Sequence, residues 1–153
     1  MQARSRISKA VMGIAASICT DMEESAYVHS INQNHYKAAV RYMMAGRMAM
    51  LSGDSNRSVT LMLRASVSLE YLSDEFAKNK YTQYLSAVKL LDALHVAHTA
   101  GIENPSNMKM KLDAVRTRLR SALREDKSND SEFEARLRKE LKKYALLRKA
   151  IGE

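Results

Sequence analysis

Proline occurs once in this chain, at Pro105, and glycine occurs five times. Sandwiches and barrels of β-strands need many more of both residues, because their turns depend on them. Between these breaks, large apolar residues recur at spacings of three and four, the period of an amphipathic α-helix. The sequence therefore predicts an all-α fold.

Six helical segments follow from this pattern. Ser52-Gly53 favours a left-handed helix stop, and Pro105 disfavours helix at the residue before it, so that Ser106 or Asn107 is the expected cap of the next helix. Short connections favour antiparallel neighbours. We expect a single domain over 1–153, an antiparallel bundle of five or six helices. In this bundle 131–153 is a basic C-terminal helix that packs, exchanges between subunits or protrudes. The segments span about 5–30, 34–51, 54–78, 80–100, 107–124 and 131–151.

Apolar stripes predict which side of a helix faces the core. In the fifth helix the stripe runs from Met108 to Ala122, and in the sixth it runs from Phe133 to Leu147. The stripe of the fifth helix keeps the spacing of three and four without interruption, whereas that of the sixth weakens toward its end, where Arg148 follows Tyr144 by four residues. The predicted core stripe of the first helix consists of Ile7, Val11, Ile14, Ile18 and Met22.

The residues that carry enzyme chemistry are sparse. The chain has a single cysteine, Cys19, with no base at a useful spacing, and a buried structural thiol is the more frequent role of such a residue. There is no Gly-x-Ser-x-Gly elbow and no glycine-rich phosphate loop. We therefore expect a non-enzymatic protein that uses no cofactor.

One set of metal-ligating residue types shares a helix face. Asp92, His95 and His98 are spaced three apart in the fourth segment, so their side chains project to the same side. Di-iron bundles need a second helix with a matching motif, and the chain has no second copy. A polar helix edge is therefore the expected role, with metal binding as the alternative.

The charges and the lengths of the apolar runs indicate in which cellular compartment the protein is expected. The basic start and short apolar stretch before Cys19 suggest a signal peptide, but helical spacing makes an amphipathic helix the preferred interpretation. No apolar run approaches the length of a membrane span. We expect a cytoplasmic protein that does not bind membranes. Its net charge is +8, and residues 101–153 hold fourteen Lys and Arg against nine Asp and Glu.

Methionines crowd the second helix and point to protein binding. Flexible, polarizable Met side chains are common on surfaces that accept amphipathic helices. The alternative is a helix buried on several sides. The predicted partner-binding residues are Met43, Met44, Met48, Met50 and Met62.

Basic residues on the last two helices offer a different partner. They could neutralise phosphates and bind nucleic acid with a strong salt dependence. The alternative is an ordinary solvated face with ion pairs one turn apart, such as Glu132 with Arg136. The predicted basic face consists of Arg116, Arg120, Arg124, Lys139, Lys142 and Lys143.

The stretch from Gly53 to Leu72, GDSNRSVTLMLRASVSLEYL, resembles the flagellar secretion chaperone (FliS) family, and 91–101 with 112–115 is similar to that family's later helices. The resemblance implies a small antiparallel bundle that holds the helical C-terminus of flagellin in apolar grooves and prevents early polymerisation. The basic charge and the long first helix depart from that family.

Taken together, these features predict a chaperone-like interaction protein that holds an amphipathic helix of a partner protein, and they are compatible with a homo-oligomer. The alternative is a basic helical module that binds nucleic acid.

Overall fold

The computed structural model describes residues 2–75, 80–102, 105–124 and 131–152. These residues form six helices and no strand, and successive helices pack on each other, which confirms the all-α bundle. None of the described helices is long and apolar enough to cross a bilayer. The helices are α1 (Gln2–Ile31), α2 (His35–Leu51), α3 (Ser55–Glu75), α4 (Lys80–Ala100), α5 (Pro105–Arg124) and α6 (Ser131–Ile151).

Glycine, proline and capping residues explain where most of the helices begin and end. The glycine stop predicted at Gly53 is confirmed, because Gly53 has a φ of +82°, which other residues rarely adopt, and α4 is likewise followed by Gly101 with a φ of +67°. Asp54 caps α3 by accepting a hydrogen bond from the Arg57 backbone N–H at 3.1 Å. The cap predicted at Ser106 or Asn107 is wrong: α5 begins at Pro105, where proline suits the first helical turn.

The second half of the chain, α4 to α6, encloses a leucine-rich core. The predicted stripes of α5 and α6 are confirmed: Leu112 and Leu119 from α5 and Leu137 from α6 are among its fully buried members. Helix α6 packs on α5 and also contacts α4, and its buried residues are part of this core.

The first half, α1 to α3, has a core of small residues. Ala15, Cys19 and Ala26 form the buried side of α1. The predicted core stripe is wrong for this helix, because Val11, Ile14 and Ile18 are exposed. Met22 is half-buried, and the side chain of Ile7 lies outside the described residues. Small side chains let helix axes approach closely, so α1 packs through them and leaves its large residues outside.

Helix α2, like α1, buries mainly small residues. The apolar side that the sequence indicates is only partly buried: Tyr36 and Met44 are exposed, whereas Val40 and Met43 are half-buried. The buried side consists of Ala38, Ala39, Tyr42, Ala45, Gly46 and Ala49.

The apolar spacing of the sequence predicts inward faces that include Leu69 and Leu72 in α3 and Tyr81 and Leu85 in α4, and this prediction is partly right. Leu69 and Leu72 are buried, whereas Tyr81 and Leu85 are exposed. Phe76, also predicted to point inward, lies outside the described residues.

Candidate functional site

The α2 outer face is the side of α2 that carries large apolar side chains toward solvent. Met44 is 39% exposed and Met50 is 43% exposed. Met43 is half-buried and packs against the edge of the small-residue core. We define the α2 outer face as Tyr36, Met43, Met44, Met50 and Leu51.

Gly46 explains why these residues point outward. Ser58 of α3 donates a hydrogen bond to the Gly46 carbonyl oxygen at 2.9 Å. A Cβ at Gly46 would lie 3.3 Å from the Met62 Cγ atom, so only glycine allows this approach without displacing a neighbour. The inner side of α2 consists of small residues apart from Tyr42, and most of the bulky apolar residues of α2 lie on its outer side.

The structure does not bring all five predicted methionines together. Met48 packs against the small-residue core. Met62 of α3 packs against Val59 and Ala93 and also reaches Gly46 of α2. Met43, Met44 and Met50 therefore remain as the methionines of the α2 outer face.

The charge on α2 is entirely positive. The helix carries Lys37, Arg41 and Arg47 and has no acidic residue. Arg41 contacts the Met22 Sδ atom at 3.4 Å, and within the described residues none of the three cations pairs with a carboxylate. By contrast, Glu23 of α1 pairs with Arg57 of α3 at 2.7 Å. The methionine-based prediction omitted Lys37 and Arg47, although the one-sided charge of α2 was visible in the sequence.

The histidine set lines a cleft of 530 Å³ between α4 and α6. Asp92, His95 and His98 lie on its α4 side. Among the described residues, no three His, Cys, Asp or Glu side chains converge in a way that could hold a metal ion. On the α6 side of the cleft, Lys143 donates a hydrogen bond to Glu140 at 3.1 Å. This hydrogen bond raises the pKa of the lysine.

The predicted basic face is divided between two surfaces. Lys139 and Lys142 are exposed on α6, whereas Lys143 turns toward Glu140 and the α4–α6 cleft. Arg120 and Arg124 are exposed on α5, and Arg116 is half-buried.

Other cations of α6 form the ion pairs one turn apart that the alternative interpretation predicts. Glu132 pairs with Arg136 at 2.7 Å, and the same spacing joins Glu134 to Arg138 at 2.9 Å. Such exposed pairs one turn apart stabilise a helix only slightly.

Cys19 is fully buried in the α1–α3 core, as the sequence predicts. Burial raises the pKa of its thiol, and the nearby Arg57 opposes this only in part. A buried thiol with a raised pKa is a poor nucleophile.

Comparisons with protein-family models, curated proteins and solved structures give no match for this chain. The resemblance of 53–72 to the flagellar secretion chaperones therefore stays a prediction. A function for this chain has to follow from its own surfaces.

Proposed function

We propose that this protein is a non-enzymatic interaction module, chaperone-like in its mode of action, that binds an amphipathic helix of a partner protein on the α2 outer face. The observation that carries the proposal is the exposure of Met44 and Met50 on a helix whose buried side consists mainly of alanine and glycine. Burying apolar surface contributes about 25 cal/mol per Å², so such side chains gain most when another helix covers them. Apolar anchors one helical turn apart would match this face.

The charge on α2 indicates the kind of helix. Lys37 and Arg47 are exposed on α2, and they have no carboxylate partner among the described residues. An acidic margin on the partner would complement them, whereas a basic margin would be repelled. The partner proposed here is therefore an amphipathic helix whose polar side is acidic.

A display library of helical peptides tests the proposal. Peptides of about 18 residues, or five turns, share one apolar pattern and differ only in acidic, neutral or basic flanks. We expect selection on the purified protein to enrich acidic flanks. Met44→Glu and Met50→Glu should each weaken binding by about 2 kcal/mol, roughly 30-fold in Kd, because each places a charge in an apolar contact.

Met110→Glu is the matched control, since Met110 is 66% exposed on α5 and lies outside the α2 outer face. It should leave peptide binding unchanged. The proposal fails if no flank class is enriched. It also fails if the enriched peptides bind both α2 variants as tightly as they bind the unmodified protein.

A second candidate function rests on the outer side of α6. Lys139, Lys142 and Lys149 are exposed there, and none of them has an ion-pair partner among the described residues. Lysines spaced along one helix side can contact successive phosphates of nucleic acid.

Fluorescence anisotropy with generic duplex and single-stranded oligonucleotides tests this second function. We expect binding in low salt that weakens as salt rises, and a triple Lys→Gln variant at 139, 142 and 149 should lower the salt slope by about three phosphate contacts. The matched variant Arg136→Gln with Arg138→Gln removes cations that are already paired and should have less effect. Unchanged anisotropy in low salt would exclude this function.

A further inference from the structure

The α1–α3 groove is a cavity of 520 Å³ that lies between helices α1 and α3. We define it by Tyr27 of α1, Tyr42 of α2, and Arg64 and Tyr71 of α3, which all line it. Tyr42 is 5% exposed and forms the floor, because α2 packs on both flanking helices. Small-molecule sites have volumes of about 300–1,000 Å³. No residue of the α2 outer face lines this groove, so the two surfaces are separate.

Two tyrosines line the groove from opposite helices. Tyr27 of α1 is 60% exposed and Tyr71 of α3 is 54% exposed, so part of each ring is open to solvent. The Tyr71 ring stacks on His35 with ring centroids 5.2 Å apart, which restricts its orientation. Aromatic rings associate with one another at centroid distances of about 4.5–7 Å. A ligand that contains a planar ring therefore suits these two walls.

The charge beside the groove is unequally compensated. Arg57 and Arg64 share the carboxylate of Glu23, at 2.7 and 3.2 Å. Arg57 donates two hydrogen bonds to it, whereas the contact of Arg64 is single and longer, and the Arg64 side chain is 50% exposed. Two guanidinium groups against one carboxylate leave one positive charge in excess. None of the described residues that line the groove is acidic, so its charge complements an anion.

Tyr42 helps to hold this charge over the floor of the groove. The guanidinium carbon of Arg64 lies 6.0 Å from the centre of the Tyr42 ring, within the range of a cation–π contact. Burial raises the pKa of the Tyr42 hydroxyl, and Arg64 opposes this shift only in part. The hydroxyl therefore stays protonated, so it does not compete with an anionic ligand for the guanidinium.

The distance between the cation and the exposed rings sets the size of the ligand. Arg64 and Tyr71 are seven residues apart on α3, which is two helical turns or about 10 Å. An acid without a ring would leave the tyrosines uncovered, and a ring without an acid would leave the excess charge unmatched. A small molecule that carries both groups satisfies both ends of the groove.

We propose that the α1–α3 groove binds a small aromatic anion, with its ring between Tyr27 and Tyr71 and its acidic group on Arg64. Glu23 keeps its shorter bond to Arg57 in this complex, so the anion takes up the donors that Arg64 presents to the groove. A guanidinium fork suits a carboxylate and a phosphate equally in shape. Aromatic carboxylates and nucleoside monophosphates share this chemistry, and both are candidate sources.

Isothermal titration calorimetry of the full chain tests the site with two probes, indole-3-acetate and adenosine 5′-monophosphate. We expect saturable binding of at least one probe with a Kd below about 1 mM, and the tighter probe identifies the class of acid. Adenosine, which lacks the acid, and inorganic phosphate and acetate, which lack the ring, should each bind at least about tenfold more weakly.

Substitutions on α3 test the placement of the ligand. Arg64→Gln should weaken probe binding about tenfold through loss of a charged hydrogen bond, and Tyr71→Ala should weaken it about fivefold through loss of stacking. Arg47→Gln and Tyr36→Ala are the matched controls, since both residues are exposed on α2 and outside the groove. Neither control should change the Kd. Circular dichroism verifies that all four variants are folded.

Absence of saturable binding by both probes overturns the proposal. So does binding of adenosine or of the ring-free acids as tight as that of the probes, or a Kd that Arg64→Gln and Tyr71→Ala leave unchanged. Peptide binding on the α2 outer face should persist in Arg64→Gln, so that failure of this groove and failure of the proposed function are separate results.

Discussion

At the scale of single residues, the absence of a side chain at Gly46 brings α2 and α3 together. The Ser58 hydroxyl reaches the Gly46 carbonyl at 2.9 Å, and the Met62 Cγ atom occupies the space beside it. Glycine in a helix interior costs roughly 1 kcal/mol relative to alanine, so its presence here indicates a packing requirement. Gly13 is a helix-interior glycine with nothing within 4 Å of its Cβ position, and it supplies the contrast.

The same substitution should therefore change stability in opposite directions at the two sites. Gly46→Leu should lower the free energy of unfolding by about 1–3 kcal/mol, because the new side chain must displace Met62 and Leu61. Gly13→Leu should raise it by about 0.5–1 kcal/mol through helix propensity alone. Urea denaturation monitored by circular dichroism measures both. A Gly46→Leu variant as stable as Gly13→Leu would contradict this account of α2–α3 packing.

At the scale of helices, the sequence predicts where helices lie better than which side they bury. In α5 and α6 the large apolar residues form the only extended apolar side, so stripe and core coincide, as at Leu112 and Leu137. In α1 and α2, two different sides of the helix are apolar, and either of them could face the core. Large residues such as Ile14 form one side and small residues such as Ala45 the other, and hydrophobic periodicity weights only the large ones.

The same division between large and small apolar sides explains how much of the candidate site could be predicted. The methionine content of α2 predicted a partner-binding helix, and Met44 and Met50 are exposed on it. Whether they bind a partner stays a prediction. The exposure of Ile14 could not be inferred from α1 alone, because it depends on small residues of α2 and α3 closing the core around Cys19.

At the scale of the whole molecule, a polar joint links the small-residue half to the leucine-rich half. Ser66 of α3 and Ser86 of α4 each donate a hydroxyl hydrogen bond to the other's carbonyl oxygen, at 2.9 and 3.0 Å. Arg118 of α5 donates to the Ser66 hydroxyl at 2.8 Å and to a carboxylate oxygen of Glu70 at 2.6 Å. At this point the two halves meet through buried hydroxyl groups and a guanidinium group that bond to one another, beside the apolar contacts of Val59 with Ala93 and Ala97.

The two partners of the Arg118–Glu70 ion pair differ in burial. Removing one partner should therefore lower the free energy of unfolding more than removing the other. The Arg118 side chain is 18% exposed, whereas the Glu70 side chain is 48% exposed. Burial lowers the pKa of the guanidinium, and Glu70 opposes that shift. Glu70→Gln leaves a largely buried cation without its carboxylate and should cost about 1–3 kcal/mol of unfolding free energy. Arg118→Met removes the cation itself and leaves a carboxylate that water can solvate, so it should cost less than about 1 kcal/mol.

Urea denaturation of both variants shows which of them loses more unfolding free energy. Glu134→Gln and Arg138→Met are the matched control pair. That control pair is exposed on α6, with side chains 42% and 74% accessible, and each change should stay within about 0.5 kcal/mol. If Arg118→Met were the more damaging change, the joint would depend on the bonds that the guanidinium donates rather than on compensation of its buried charge. The two halves would then be held together by Arg118 itself, and unfolding of Arg118→Met would separate into two transitions instead of one.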